Sequence, residues 1–128
     1  MSISVKKEIE KIKNIKEFEK VQFIILYGSA AEGGMREGSD IDLCIYYDGT
    51  PEEASEFRLS VLSTLFEDTY DVQIFQQLPL YVRKEVLKGK VVYCKDTRFL
   101  YAVARETIRD FEEFKDRFYD YIGEKAIS

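Results

Sequence analysis

LYGSAAEGGMREGSDIDLCIYY, residues 26–47, is the stretch on which the reading of this chain turns. The apolar run VQFIILY (21–27) leads into it. Rich in β-branched and aromatic side chains and bounded by Gly28, that run reads as a strand buried on both faces. Gly28 lacks a Cβ, so backbone can approach a ligand closely there. Ser29 follows at the start of a turn or short helix, where a hydroxyl and adjacent N–H groups hold an anion such as a phosphate. After ten further residues, Asp40 and Asp42 open a second strand, IDLCIYY (41–47). On a strand, residues i and i+2 share a face with Cα atoms about 6.6 Å apart. Two carboxylates so spaced can flank cations about 3.5–4 Å from one another, the separation of two-metal phosphoryl-transfer sites.

The plainer alternative makes Asp40 a turn cap and Asp42 a solvent-facing strand residue, since Gly-Ser-Asp is common loop punctuation. Asp42, however, lies between Ile41 and Leu43 in a strand that reads as buried on both faces. An ionised carboxylate is costly there unless paired or bound to metal. Asp71 opens a comparable run, DVQIF. If its strand neighbours 41–47, three aspartates meet at one edge of the sheet, which a metal site requires and a structural role does not.

Outward from this centre the pattern predicts an α/β (α+β) arrangement. Val5, Ile9, Ile12, Ile15 and Phe18 give an amphipathic helix over 4–20. Residues 28–39 read as a short helix and then a loop. DGTP (48–51) is turn chemistry, and Pro51 suits the first position of a helix over 51–68. A strand at 70–77, a short helix at 78–89 closed by Gly89 and an edge strand at 90–96 follow. From Thr97 to about Lys125 a single helix carries Leu100, Ala104, Ile108, Phe111, Phe114, Phe118 and Tyr121 as a stripe. At ~1.5 Å per residue it is about 40 Å long, so the stripe covers either the domain's own sheet or a second protein. The expected architecture is a small mixed sheet flanked by helices, with residues 1–128 forming a single domain.

Composition narrows the chemistry. The 128 residues include 19 basic and 24 acidic side chains and no histidine. An imidazole base and every His-ligated metal are excluded, leaving hard, oxygen-bound cations such as Mg²⁺. A net charge of −5 argues against gripping a nucleic-acid backbone. Cys44 and Cys94, 50 residues apart in apolar runs, read as reduced core residues. No stretch has the ~18 apolar residues of a membrane span, and no signal peptide is visible, so a soluble, cytoplasmic protein is expected.

Gly28-Ser29, ten residues, then Asp40-Ile41-Asp42 resembles the GSx10DxD signature of the DNA polymerase β-like nucleotidyltransferase superfamily. The length and element order are similar to its minimal nucleotidyltransferase (MNT) family, antitoxins of HEPN-domain toxins. The resemblance runs from residue 21 through Asp71 into the terminal helix. It implies the polymerase β-like fold, with Asp40, Asp42 and Asp71 as catalytic ligands of two Mg²⁺ ions, Asp71 assisting deprotonation of the acceptor. It implies that Gly28 and Ser29 hold the phosphates of ATP. Many relatives carry Arg directly after Gly-Ser; here that position is Ala30, and Arg36 is the nearby cation. The implied reaction is transfer of AMP from ATP to a tyrosine hydroxyl of a cognate HEPN RNase toxin. This chain is not itself that toxin, because the HEPN motif needs a His. Adenylylation of an aminoglycoside-like small molecule, or a non-catalytic antitoxin that neutralises by binding, are the alternatives.

Overall fold

In a computed structural model, which describes residues 5–28, 41–65 and 70–127 with side chains up to residue 118, the two apolar runs flanking the glycine-rich stretch lie side by side. They form β1 (Val21–Tyr27) and β2 (Ile41–Tyr47), antiparallel, with Tyr27 opposite Asp42 and Leu26 opposite Leu43. After β2 the chain turns through Gly49 into α2 (Pro51–Thr64). Its start is built as the sequence suggests: Thr50 accepts from the Glu53 N–H, the Glu53 carboxylate accepts from the Thr50 N–H, and Pro51 follows the cap. The helix carries the chain back over one face of the sheet so that β3 (Tyr70–Ile74) pairs with β2 in parallel. Arg58 on α2 donates to the Val72 carbonyl of β3, tying crossover helix to strand.

The remaining strand, β4 (Lys90–Cys94), pairs antiparallel on the other side of β1, giving the order β3-β2-β1-β4. The sheet is mixed and β4 lies at its edge, as expected. Strand alternation then separates two cores. On one face Ile24, Leu26, Leu43, Ile45, Val72 and Ile74 pack under α2 and under α1 (Lys6–Lys13). On the other, Phe23, Ile25, Cys44 and Phe75 meet Val86 of α3 (Leu80–Val86) and Leu100 of α4 (Thr97–Ile127). Each such fully buried apolar side chain contributes about 1.5–3 kcal/mol.

Besides small trims at the ends of α3 and β4, two elements stop well short of their apolar patterns. The helix expected over 4–20 stops at Lys13, where the Asn14 amide donates back to the Glu10 carbonyl, and Glu17 then takes a left-handed φ of 69°. The strand expected over 70–77 ends at Ile74 because Gln76 folds its side chain onto Tyr47. Its Oε1 accepts from the Tyr47 N–H and its Nε2 donates to the Tyr47 carbonyl. The short helix or loop expected after Gly28, over 29–39, lies outside the described residues, as do residues 66–68 of the helix expected to reach 68, whose described part ends at Thr64 with Leu65 as its C-cap.

The long terminal helix is present, started by Asp96, whose carboxylate accepts from the N–H groups of Arg98 and Phe99. Leu100 and Thr107 are buried, the threonine hydroxyl returning to the Val103 carbonyl. Lys84 of α3 lies 4.2 Å over the Phe111 ring. Beyond that contact the stripe faces outward: Ile108, Phe114 and Phe118 are 46%, 53% and 49% exposed. Tyr121 lies outside the described side chains.

Candidate functional site

Three strands end in one row at the same edge of the sheet. Tyr27 on β1 stands opposite Asp42 on β2, and Asp42 stands opposite Asp71 on β3. Paired residues of neighbouring strands point to the same side, so all three project on the face of Cys44 and Phe75. That is the face roofed by α3 and α4. Both carboxylates are half-buried, neither in the core nor fully in solvent.

Gly28 closes β1 with a φ of +75°, a left-handed conformation that other L-residues adopt at a cost of roughly 1–2 kcal/mol. A Cβ added there would land on Asp42 Oδ2. The absent side chain therefore makes room for a carboxylate. Gly89, the expected stop of the short helix, packs in a similar way: a Cβ there would meet the Leu26 carbonyl and come within 3.0 Å of the Tyr27 Cβ.

Three of the described neighbours of the two aspartates, Cys44, Tyr27 and Gln73, carry no charge. Burial pushes the Cys44 thiol up to about 12, so it is neither thiolate nor nucleophile at neutral pH. Burial, then the neighbouring Cys44, Asp42 and Asp71, hold the Tyr27 phenol protonated well above its usual range. Gln73, on the same face of β3, donates from Nε2 to Asp71 Oδ1 at 2.9 Å. Two carboxylates facing each other across parallel strands offer the oxygen donors that a hard cation takes.

Of the five residues expected to form the site, the structure brings Gly28, Asp42 and Asp71 together. Ser29 and Asp40 lie outside the described residues, and among the described residues no group of three metal-ligating side chains gathers. Gln73 and Tyr27 were not singled out in the sequence. The signal for Gln73 was present, since it lies two positions after Asp71 on a strand.

A family model described as polymerase beta, nucleotidyltransferase, matches residues 10–98. The chain is 32% identical over 112 residues to a protein of Methanocaldococcus jannaschii named as a protein adenylyltransferase, MJ1547, covering 84% of this chain and 87% of that one. A crystal structure described as a toxin–antitoxin with AMP-PNP superposes with a TM-score of 0.72 at 20% identity, over 92% of this chain and 95% of the other. A complex of a tri-AMPylated Shewanella oneidensis HEPN toxin with an MNT antitoxin superposes with a TM-score of 0.65 at 18% identity, over 91% and 93%. At such identities the structural likeness speaks for the fold. The extent of the family match and the degree of identity speak for descent: this chain belongs to the polymerase beta nucleotidyltransferase family.

Proposed function

We propose that this nucleotidyltransferase moves AMP from MgATP to a tyrosine hydroxyl of a HEPN RNase toxin and so acts as its antitoxin. The observation that carries the reading is the facing of Asp42 and Asp71 across parallel strands beside a glycine that leaves them room. The relative named as a protein adenylyltransferase supports AMP as the group and a protein as the acceptor. The likeness to an MNT antitoxin bound to an AMPylated HEPN toxin supports the partner.

Asp42 and Asp71, with Asp40, would hold two Mg²⁺ ions, which supply charge neutralisation of the triphosphate and a lowered pKa for the acceptor hydroxyl. Gly28 and Ser29 would seat the phosphates. The acceptor oxygen forms a bond to the α-phosphorus in line with the bond that breaks, and pyrophosphate leaves with the electron pair. Asp71 accepts the proton of the attacking hydroxyl. The neutral Cys44 and Tyr27 neither compete for that proton nor offer a second nucleophile. The outward stripe of α4 offers a surface to the toxin, and its charged neighbours keep that surface soluble when alone. Free Cys44 and Cys94 suit a reducing cytoplasm.

The deciding experiment incubates the protein with a cognate HEPN toxin, Mg²⁺ and α-labelled ATP, followed by mass spectrometry of the toxin. Additions of one or more AMP units at tyrosine are expected. Label appearing only on a small molecule would favour the aminoglycoside-like alternative. Toxin binding without label or nucleotide affinity would favour the non-catalytic one.

A further inference from the structure

We infer that Gln73 is a positioning residue for Asp71, holding one carboxylate oxygen so that the other is presented to the cation and to the acceptor hydroxyl. This rests on the proposed function. Gln73 and Asp71 sit two apart on one strand and share a face, and the amide donates 2.9 Å to Oδ1. The strand beneath is held on both sides of the contact, Asp71 against Asp42 and Gln73 against Cys44. No hydrogen bond to Oδ2 is made among the described residues.

The chemistry of the donor matters as much as its place. Gln73 lines a face otherwise built from Ile25, Cys44 and Phe75, where an aliphatic side chain would pack without a polar group to satisfy. An arginine or lysine there would also orient Asp71, but would cancel the negative charge a cation needs. A neutral amide fixes the carboxylate's rotation and leaves its charge intact. Partners of this kind behind metal ligands typically change metal affinity or activity by about 10–100-fold when removed.

The test uses the full chain as wild type, Gln73→Met, which keeps the volume and deletes the donor, and Gln73→Glu, which sets a like charge against Asp71. Mn²⁺ binding in the presence of AMP-PNP is followed by electron paramagnetic resonance, alongside kcat and KM for ATP and thermal unfolding. Expected for Gln73→Met are a wild-type unfolding temperature, a KM for ATP within about twofold and a kcat lower by about 10–100-fold. The Mn²⁺ half-saturation rises by a similar factor, and Gln73→Glu is worse on both counts. Wild-type Mn²⁺ binding and kcat in Gln73→Met overturn the inference. So do losses that merely follow the folded fraction, the signature of a structural role. If Gln73→Met does not fold, Gln73→Glu decides by the same readouts. The Mn²⁺ isotherm needs no turnover, so it decides the matter even if the wild-type protein transfers no AMP and the proposed function falls. A wild-type protein that binds no Mn²⁺ ends both.

Discussion

Asp42 and Asp71 face one another as a registered pair on adjacent parallel strands. Neighbouring strands lie about 4.7–4.9 Å apart, so the two carboxyl groups are held close by the backbone hydrogen bonding of the strands. Replacing either with asparagine keeps the side chain's shape and removes one carboxylate from the pair. For Asp42→Asn and Asp71→Asn, AMP transfer should fall by on the order of 10³-fold or more, several kcal/mol of barrier. The metal-free unfolding temperature should hold or rise, and the increase that Mg²⁺ gives the wild type should vanish. A variant that unfolds at much lower temperature without metal would show that the pair is structural.

Gly28→Ala tests the space beside Asp42. The new methyl must take a left-handed φ, at roughly 1–2 kcal/mol, and collide with the Asp42 carboxylate. A drop of several degrees in the unfolding temperature is expected, together with loss of the Mg²⁺ response. Alanine tolerated with both readings intact would contradict the geometry.

The start of α2 has a pH signature. The Thr50 backbone N–H first, then Lys20 and the Thr50 hydroxyl, lower the Glu53 carboxyl from 4.5 to about 2. A folded value below the unfolded one stabilises fully above the unfolded value, and the gain drains away as pH falls through the window from 4.5 to about 2. Urea unfolding of wild type and Glu53→Gln should therefore differ most near neutral pH and converge towards pH 2. A difference that grows on acidification would reverse the assigned sign. Thr50→Ala should cost about 1 kcal/mol as a lost helix cap.

Phe114→Ser with Phe118→Ser separates partner binding from folding. Both rings are about half exposed, at 53% and 49%, so the isolated protein should lose no more than about 0.5 kcal/mol. Association with the toxin, read by size-exclusion chromatography, should weaken sharply. Unchanged association would place the toxin on another surface.

The limits of β1 and β2 were legible to the residue, because β1 is a continuous apolar run closed by glycine and β2 an apolar run, interrupted only by Asp42, closed by turn chemistry. The helix expected over 4–20 overran because Ile15 and Phe18 keep helical spacing although the helix ends at Lys13 and the chain then turns through a left-handed Glu17. A left-handed residue that is not glycine leaves no compositional trace. The early end of β3 was equally hidden, since it depends on where the Gln76 side chain finds the backbone of a strand 29 residues away. Asp71 could be named from its place at the head of an apolar run, but its partnership with Asp42 is a fact of pairing. Gln73 was missed although its i+2 spacing from Asp71 was visible, because spacing alone does not say that an amide will turn to a carboxylate on its own strand.

That same Gln76 contact sits at the opposite end of β3 from the carboxylates, bridging both polar atoms of Tyr47. Strand pairing has a two-residue repeat, and sliding β3 by a single residue would turn Asp71 to the far face, under α2. A parallel strand joined through a helix has no tight hairpin turn to set its alignment. The side-chain clamp reinforces the alignment that the buried Val72 and Ile74 impose. The glutamine thus fastens β3 to β2 at the end of the strand away from Asp71, adding to the backbone ladder and the buried Val72 and Ile74 that keep Asp71 opposite Asp42.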